Sequence, residues 1–514
     1  MKKIFLIIGL GLGLISCDDY IDEAFRNPNA PTVVKPSEVL PSIQANMARG
    51  VQFDSRMLGR YVNYWTLTTG GGSWDRMGYD PNSDNGGEKW RTHYWNLGHN
   101  VINMMKDARA EGKDEYIGTG HAIMAWSWLL LTDYHSDVIL KEAFNTDQLT
   151  FKFDGQEDVY KHVAMLCDSA NIYLDKASKK EISSDFRTAD AFIYAGNIDK
   201  WKKFVSGVKA KLLHRYSMKS TYKPDDVIKA VDASLSSTDD DAMIKFTNGP
   251  AAPDDANFFG PRRNNMGAYR QTDFIIRYLD GSVYTGLKDP RIDFLFRPST
   301  DGVFRGVRMN AGEATTLPAN RKTYSFFGTF STVAPAGGVD TDARSFFKNN
   351  AHLPAMTYSE LQFIKAEAAF IKGDKATALT AYQKGIKGCF EMYKKYYTGY
   401  VAFTDKQADD YITAISPKTA ANLTLSDIMI QKFVALWGYG FEETWVDLRR
   451  YKYSPEIYKT YELPTAIYPD NLGKLVQRVR PRYNSEYLWN VEELRRIGGT
   501  NTDYHTIDAW FSKP

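Results

Sequence analysis

Apolar residues recur at helical spacing in successive blocks along most of the chain, with polar residues between them. The most regular block, 356–390, contains two such runs separated by Gly373 and Asp374. A glycine after the last turn of one helix and an aspartate that caps the next are typical of a tight turn. The pattern therefore predicts two antiparallel helices, with the small residues Ala366 and Gly385 at their contact.

The same periodicity predicts helices before and after this hairpin. The predicted helical blocks are 37–65, 94–110, 117–134, 156–177, 190–218, 273–279, 424–451 and the end of 476–497. In the fifth block we expect a short helix to Tyr194, a turn, and a second helix capped by Asp199. Lys211 and Arg215 on that second helix are expected to face solvent or to pair with acids. The sequence predicts a mainly α fold.

Two long segments break the helical pattern. Residues 66–93 are rich in glycine, asparagine and aspartate, and residues 236–355 combine many turn signals with room for small strands. A loop as long as the first is functional or disordered in most compact domains, and its aromatic residues favour an ordered loop. The sequence thus predicts a helical domain that carries a large irregular, loop-rich portion.

Aromatic and polar side chains of these two segments are the candidate ligand-binding residues. Aromatic rings stack on the apolar faces of sugars, while carboxylate, guanidinium and amide groups bond hydroxyl or peptide groups. The candidates are Trp74, Asp75, Tyr79, Trp90, Arg91, Tyr269 and Tyr324. We expect the last two, with Arg270, Phe326 and Phe327, to form the opposite wall of one groove. The alternative is that the aromatic rings only pin the first loop to the domain.

The first 36 residues have the composition of a targeting segment and a tether. Two lysines precede a short apolar run that ends in Leu-Ile-Ser-Cys, a sequence that resembles the lipobox of bacterial lipoproteins. We therefore predict a signal peptide over 1–16, lipidation of Cys17 and a flexible tether over 17–36. The acidic residues after Cys17 resemble the surface-export signal of Bacteroidetes lipoproteins. A chance cysteine beside an ordinary cleavage site is the alternative.

Composition and spacing exclude several classes of function. Of 514 residues, 25% are charged and the formal net charge is +2, which argues against nucleic-acid binding, because such binding needs a basic footprint. The HExxH, GxSxG, P-loop and CxxC motifs are absent from the sequence, and the histidines are scattered. We expect no catalytic residues, no metal and no cofactor. Cys167 and Cys389 lie in predicted helices, where two buried thiols are expected and a disulfide is the alternative.

Seven short segments carry a resemblance to a known family. They are Cys17, NPNAPT at 27–32, DYHSDV at 133–138, IDKWKKFVSGVKAKLLHR at 198–215, DPRIDF at 289–294, FEETWVDLRR at 441–450 and RPRYNSEYLWN at 480–490. In this order they resemble the SusD/RagB family of Bacteroidetes outer-membrane nutrient-binding lipoproteins. The chain departs from the family at His135-Ser136, where Tyr-Gly is common, and at Asn484, where proline is usual. The hairpin at 356–390 is similar to a tetratricopeptide repeat, with Gln362 in place of the usual large aromatic.

The resemblance implies a helical domain over 37–514 with about four tetratricopeptide-like helix pairs, mainly within 117–218 and 356–451, and an irregular insert at about 236–355. It implies a TonB-dependent outer-membrane transporter, against which the scaffold packs, as partner. Such proteins capture oligosaccharide or peptide and sit over the transporter as a lid. We expect this protein to be lipid-anchored in the outer membrane, facing the exterior.

Four functions are open at this point. The first is a surface lipoprotein that captures glycan for the transporter, and the second is a peptide-binding lipoprotein of the same type. The third is an all-helical glycoside hydrolase, which needs two carboxylates, such as Asp75, Asp80 or Glu88 together with Asp273. The fourth is a structural helical-repeat adaptor without a small ligand, against which the glycine-rich aromatic loop weighs.

Overall fold

The computed structural model describes residues 34–249, 255–400 and 402–514. Cys17, the predicted signal peptide 1–16 and most of the predicted tether lie outside the described residues. None of the helices in the described ranges is long and apolar enough to cross a membrane. Cys167 and Cys389 are both buried and free, as expected from their places in predicted helices.

Helices dominate the described part of the chain, as the periodicity predicts. They are α1 (Pro36–Tyr61), α2 (Glu88–Arg91), α3 (Gly98–Ala110), α4 (Asp114–His135), α5 (Gln156–Ala177), α6 (Ser184–Ala189), α7 (Ile198–His214), α8 (Pro224–Asp232), α9 (Asp273–Leu279), α10 (Arg291–Leu295), α11 (Tyr358–Lys372), α12 (Lys375–Tyr396), α13 (Asp405–Ile415), α14 (Leu425–Ala435), α15 (Phe441–Arg450) and α16 (Val491–Arg496). The strands are β1 (Trp65–Leu67), β2 (Ala242–Ile244), β3 (Tyr269–Gln271) and β4 (Leu353–Met356). β1 pairs antiparallel with β3, and β2 with β4.

Helix pairs that follow one another in the chain form a tetratricopeptide-like scaffold: α4–α5, α7–α8, α11–α12 and α14–α15. At the turn of the third pair, Gly373 has a φ of 88°, which favours glycine, and the Asp374 side chain accepts the N–H of Thr377 at 3.0 Å. A Cβ at Gly385 would lie 2.9 Å from the ring of Phe363, so the close approach of α11 and α12 needs glycine there. The hairpin predicted for 356–390 is confirmed.

Helix boundaries differ from the predicted ones where a local signal competes with the periodicity. α1 ends before Asn63, which turns with a φ of 61° and leads Trp65 into β1 instead of a longer helix. Asn197, not Asp199, caps α7, because its side chain accepts the backbone N–H three residues on. The prediction of a short helix over 190–194 is wrong, because residues 190–196 form turns and α6 ends before them.

Lys211 and Arg215 of the scaffold lie inside the protein and do not face solvent. They pair with acidic side chains, which was the other expected arrangement. Arg215 is fully buried, with Nη2 2.6 Å from Oε2 of Glu443 and Nε 3.0 Å from Oδ2 of Asp133. Lys211 is also buried and lies 2.6 Å from Glu360. These contacts join α4, α7, α11 and α15, so the ion pairs hold the helix pairs against one another.

Candidate functional site

The segment 66–93 is an ordered structure rather than a plain loop. It contains β1, a short 3-10 turn at Trp74–Arg76, and α2, which passes through a π-helical turn at Thr92–Leu97 into α3. Two hollows lie beside it, one on each side of a π-helical turn at Tyr483–Tyr487. We call the smaller hollow the cleft and the larger one the aromatic cavity.

Neighbouring side chains of the turn face opposite hollows. Tyr483 and Tyr487 line the cleft, whereas Arg482, Ser485 and Glu486 line the aromatic cavity. Consecutive Cα atoms are only about 3.8 Å apart. The ridge between the two hollows is therefore a single chain thick.

The aromatic cavity has a volume of about 500 Å³, within the range of ligand pockets. Its aromatic lining consists of Trp90, Tyr94, Trp95, Phe144 and Phe151. Trp90 is buried and packs 4.9 Å from Tyr94, so it forms part of the fixed wall. Trp95 is 68% exposed, which leaves most of its indole free to contact a ligand.

Polar groups are placed among these rings. Arg91, Asn145 and Arg482 line the cavity, and Arg91 has 43% of its side chain exposed. Glu486 is buried, and its Oε2 accepts a hydrogen bond from Nδ2 of Asn490 at 2.9 Å. Burial raises the pKa of Glu486, so the carboxyl group is more readily protonated here than in water. Guanidinium, amide and carboxyl groups beside exposed rings are suited to a ligand that has both apolar faces and hydroxyl groups.

The cleft is smaller, with a volume of about 140 Å³. The Tyr79 hydroxyl donates to Asp470 at 2.7 Å, and the guanidinium of Arg480 lies 4.1 Å from the centre of the Tyr79 ring. Burial raises the pKa of Tyr79 to about 12, so its hydroxyl is neutral at physiological pH. The indole N–H of Trp74 donates to Oδ2 of Asp80 at 2.9 Å and fixes that carboxylate at the edge of the cleft.

The candidates of the first segment fall into two groups. Trp74 and Tyr79 line the cleft, and Trp90 and Arg91 line the aromatic cavity. The two tryptophans are 1% and 3% exposed, so they shape their hollows from within the domain and offer little surface to a ligand. The alternative reading, in which the aromatic rings pin the segment to the domain, describes both tryptophans well.

Three candidates line neither hollow. Asp75 is buried, with Oδ1 2.7 Å from Nε of Arg60. Tyr269 lies in β3, and Tyr324 stacks on the half-exposed ring of Phe330 at 4.3 Å. None of the described residues that line the two hollows comes from 236–355, so neither hollow has the opposite wall that we expected. Pairing of β1 with β3 holds the segment 236–355 against the start of the segment 66–93. Residues of the C-terminal tail, between 478 and 505, form the wall that faces residues 79–85.

The C-terminal tail, residues 476–514, lines both hollows, and the sequence analysis did not predict it as part of the site. Two contacts with the scaffold hold the tail in place: the Val479 N–H donates to the carbonyl of Tyr134 at 2.9 Å, and Nη1 of Arg449 donates to the carbonyl of Gln477 at 2.8 Å. The available signal was the density of tyrosines and arginines in the segment 480–490. Within the described ranges, no group of three or more His, Cys, Asp or Glu side chains is arranged to hold a metal ion.

Comparison with known proteins gives one family. The sequence profile of a SusD-like family described as "Starch-binding associating with outer membrane" matches residues 28–469. The fold is similar to that of a chitin-binding protein, with a TM-score of 0.70, 20% identity and coverage of 93% of this chain and 100% of that chain. A chitin-binding SusD homolog from Flavobacterium johnsoniae (TM-score 0.68, 20% identity, 93% and 98% coverage) and a SusD homolog from Bacteroides fragilis (0.68, 19%, 94% and 100%) are also similar. No curated protein sequence matches the chain. The matched residues make up most of the sequence, and the chain belongs to the SusD-like family.

Proposed function

We propose that this protein is a cell-surface lipoprotein that binds oligosaccharide or polysaccharide and delivers it to a TonB-dependent outer-membrane transporter. The family description, which names starch binding and the outer membrane, supports the glycan ligand and the location. The chitin-binding proteins with the same fold support a polysaccharide ligand. On this proposal the protein binds its ligand without a catalytic step.

The aromatic cavity is the observation that carries the proposal. Its volume of about 500 Å³ accommodates a ligand of oligosaccharide size, and its walls combine five aromatic rings with arginine, asparagine and carboxyl groups. Sugars present flat apolar faces and a rim of hydroxyl groups, so rings and planar polar side chains are complementary to them. The exposed Trp95 at this cavity provides the surface on which a sugar ring stacks.

Trp95→Ala tests the proposed site directly. A tryptophan side chain has about 150–250 Å² of surface, and Trp95 is 68% exposed. A sugar that covers about half of the exposed part, on the order of 60 Å², gains about 1.5 kcal/mol, so the variant should bind about tenfold more weakly. Calorimetry with malto-oligosaccharides and chito-oligosaccharides, beside xylan, pectin and peptide pools, measures the loss.

Trp489→Ala is the matched control, because Trp489 is 74% exposed and lines neither hollow. It should bind like the unchanged protein, and both variants should keep their circular dichroism spectra. Trp90→Ala is a poor probe, since truncation of a buried tryptophan costs about 3–5 kcal/mol of stability. Binding of peptide alone, or equal affinities of the Trp95 variant and the unchanged protein, would contradict the proposal.

The membrane anchor is a separate part of the proposal. Lipidation of Cys17 would attach the chain to the outer membrane, because acyl chains contribute about 0.8 kcal/mol per buried CH₂ and more than one chain gives stable attachment. Cys17→Ala should abolish incorporation of labelled fatty acid and release the protein from the membrane fraction. Labelling that persists in this variant would contradict the predicted lipidation site.

A further inference from the structure

The carboxylate of Asp84 joins the ridge between the two hollows to the segment 66–93. Oδ2 of Asp84 lies 2.6 Å from Nη2 of Arg482, and Oδ1 accepts the backbone N–H of Asn484 at 2.8 Å. The Asn484 side chain also donates to Asp84, at 2.7 Å. This clamp fixes the turn Tyr483–Tyr487 against the segment 66–93, so the cleft and the aromatic cavity stand at a fixed spacing on one face.

The cleft has ring surfaces of its own. The rings of Tyr483 and Tyr487 are stacked, with centroids 5.8 Å apart and an angle of 22° between the planes. Tyr79, on the other side, is held by Arg480 and by the ring of His505, whose centroid lies 4.9 Å away. The cleft is therefore bounded by rings that neighbouring groups hold in place, as a stacking site for a sugar requires.

The imidazole ring of His505 lies in the wall of the cleft and is held by Asn471. His505 is 1% exposed, and its Nε2 lies 2.7 Å from Oδ1 of Asn471, while Nδ1 is buried with no partner among the described residues. Nδ2 of Asn471 already donates to the carbonyl of Met77, so its Oδ1 is the acceptor and Nε2 of His505 carries the proton. Burial lowers the pKa of His505 to about 3, which keeps the ring neutral, and its buried Nδ1 is not exposed to a ligand.

Two polar groups at the surface of the cleft are available to a ligand, on Asp80 and Asn82. Oδ2 of Asp80 accepts from both Trp74 and Asn85, and no hydrogen bond to Oδ1 of Asp80 is present among the described residues. The Asn82 side chain, on an exposed residue of the lining, likewise makes no hydrogen bond there. Water solvates these groups in the free protein, and the hydroxyl groups of a sugar can replace that water as hydrogen-bond partners.

We propose that the cleft is a second sugar-binding subsite, which holds one further ring of the same glycan chain that occupies the aromatic cavity. This inference rests on the proposed function. The volume of about 140 Å³, against about 500 Å³ for the cavity, suits a single ring rather than an oligosaccharide. A chain that crosses the ridge at Asp84 and Arg482 reaches both hollows, because the ridge is one backbone thick.

Two subsites on one ligand make affinity depend on chain length. A short oligosaccharide fills the aromatic cavity alone, whereas a longer one also presents a ring to the cleft at a high effective concentration. The gain appears only when the chain is long enough to span the ridge. The unchanged protein should therefore bind hexasaccharides at least tenfold more tightly than disaccharides.

Tyr483→Ala and Asn82→Gly test the cleft without touching the cavity. Tyr483 is partly buried at the surface, and glycine suits the φ of 56° at Asn82, so both changes are compatible with the fold. Tyr173→Ala is the matched control, since Tyr173 is also partly buried and stacks on His121 with the same separation and angle, 5.8 Å and 22°. Calorimetry uses malto-oligosaccharides and chito-oligosaccharides from two to eight sugars.

The expected result is a loss confined to long ligands. The cleft variants should bind hexasaccharides about tenfold more weakly and disaccharides with unchanged affinity, whereas the Tyr173 variant should match the unchanged protein at every length. Equal losses at all lengths, or no loss at any length, would overturn the inference. Absence of binding in the unchanged protein, or an unaffected Trp95→Ala variant, would instead contradict the proposed function and its site.

Discussion

Arg215→Met should destabilise the protein strongly, because Arg215 is a buried cation shared by two acids. Its guanidinium lies 3.1 Å and 2.6 Å from the two carboxylate oxygens of Glu443 and 3.0 Å from Oδ2 of Asp133. All three side chains are 1% exposed or less. Methionine retains the apolar part of the side chain and removes the charge and all three hydrogen bonds.

The size of the effect follows from what is left behind. Breaking a buried ion pair by removing one partner costs about 3–5 kcal/mol, because the other charge stays in a poorly solvated place. Glu443 keeps a cation, since Nζ of Lys432 lies 3.1 Å from Oε1. Among the described residues, the Asp133 side chain then has the Tyr160 hydroxyl, at 2.6 Å, as its hydrogen-bond donor. We therefore expect the lower part of the range, about 3 kcal/mol.

Urea unfolding followed by tryptophan fluorescence at pH 7 measures this loss as a shift of the transition midpoint. Lys406→Met is the control, because Lys406 pairs with Asp410 at 2.6 Å on the surface with 82% of its side chain exposed. An exposed pair of this kind contributes about 0.3–0.5 kcal/mol. A loss below about 1 kcal/mol for Arg215→Met would refute the view that this ion pair holds the helix pairs together.

Two further predictions concern pH and backbone conformation. Burial raises the pKa of Asp54 to about 7 from 3.8, so its contribution to stability is complete below about pH 4 and lost as the pH rises through 7. Asp54→Asn should abolish up to about 4 kcal/mol of this fall between pH 4 and 8. Urea unfolding measures the free energy of unfolding at each pH, and an equal fall in both proteins would refute the raised pKa of Asp54. Gly373→Ala should lower the unfolding free energy by about 1–2 kcal/mol, because φ is 88° there and a residue with a Cβ is strained in that conformation. A Cβ would meet no atom within 4 Å, so the backbone strain is the whole expected effect. An unchanged urea midpoint for this variant would show that the turn relaxes.

Local sequence signals predicted the scaffold well because the information they need lies within a few turns of helix. Gly373 and Asp374 end and start adjacent helices through their own backbone preferences, whatever the rest of the chain does. The charges of α7 behaved differently. Lys211 and Arg215 follow a spacing that suits a solvated helix face, yet their acids come from α4, α11 and α15. Nothing near them in sequence shows that those helices cover this face.

Only one wall of the candidate site could be predicted from the sequence, for the same reason. The segment 66–93 has the aromatic and polar composition of a binding surface, but its partner wall lies near the other end of the chain. The clamp from Asp84 to Arg482 joins residues 398 positions apart. Backbone contacts of Val479 and Gln477 with the scaffold bring the tail to that position. Because the contacts at Val479 and Gln477 use backbone atoms of the tail, rings such as Tyr483 and Tyr487 can change without removing them, whereas the clamp to Asp84 needs the side chain of Arg482.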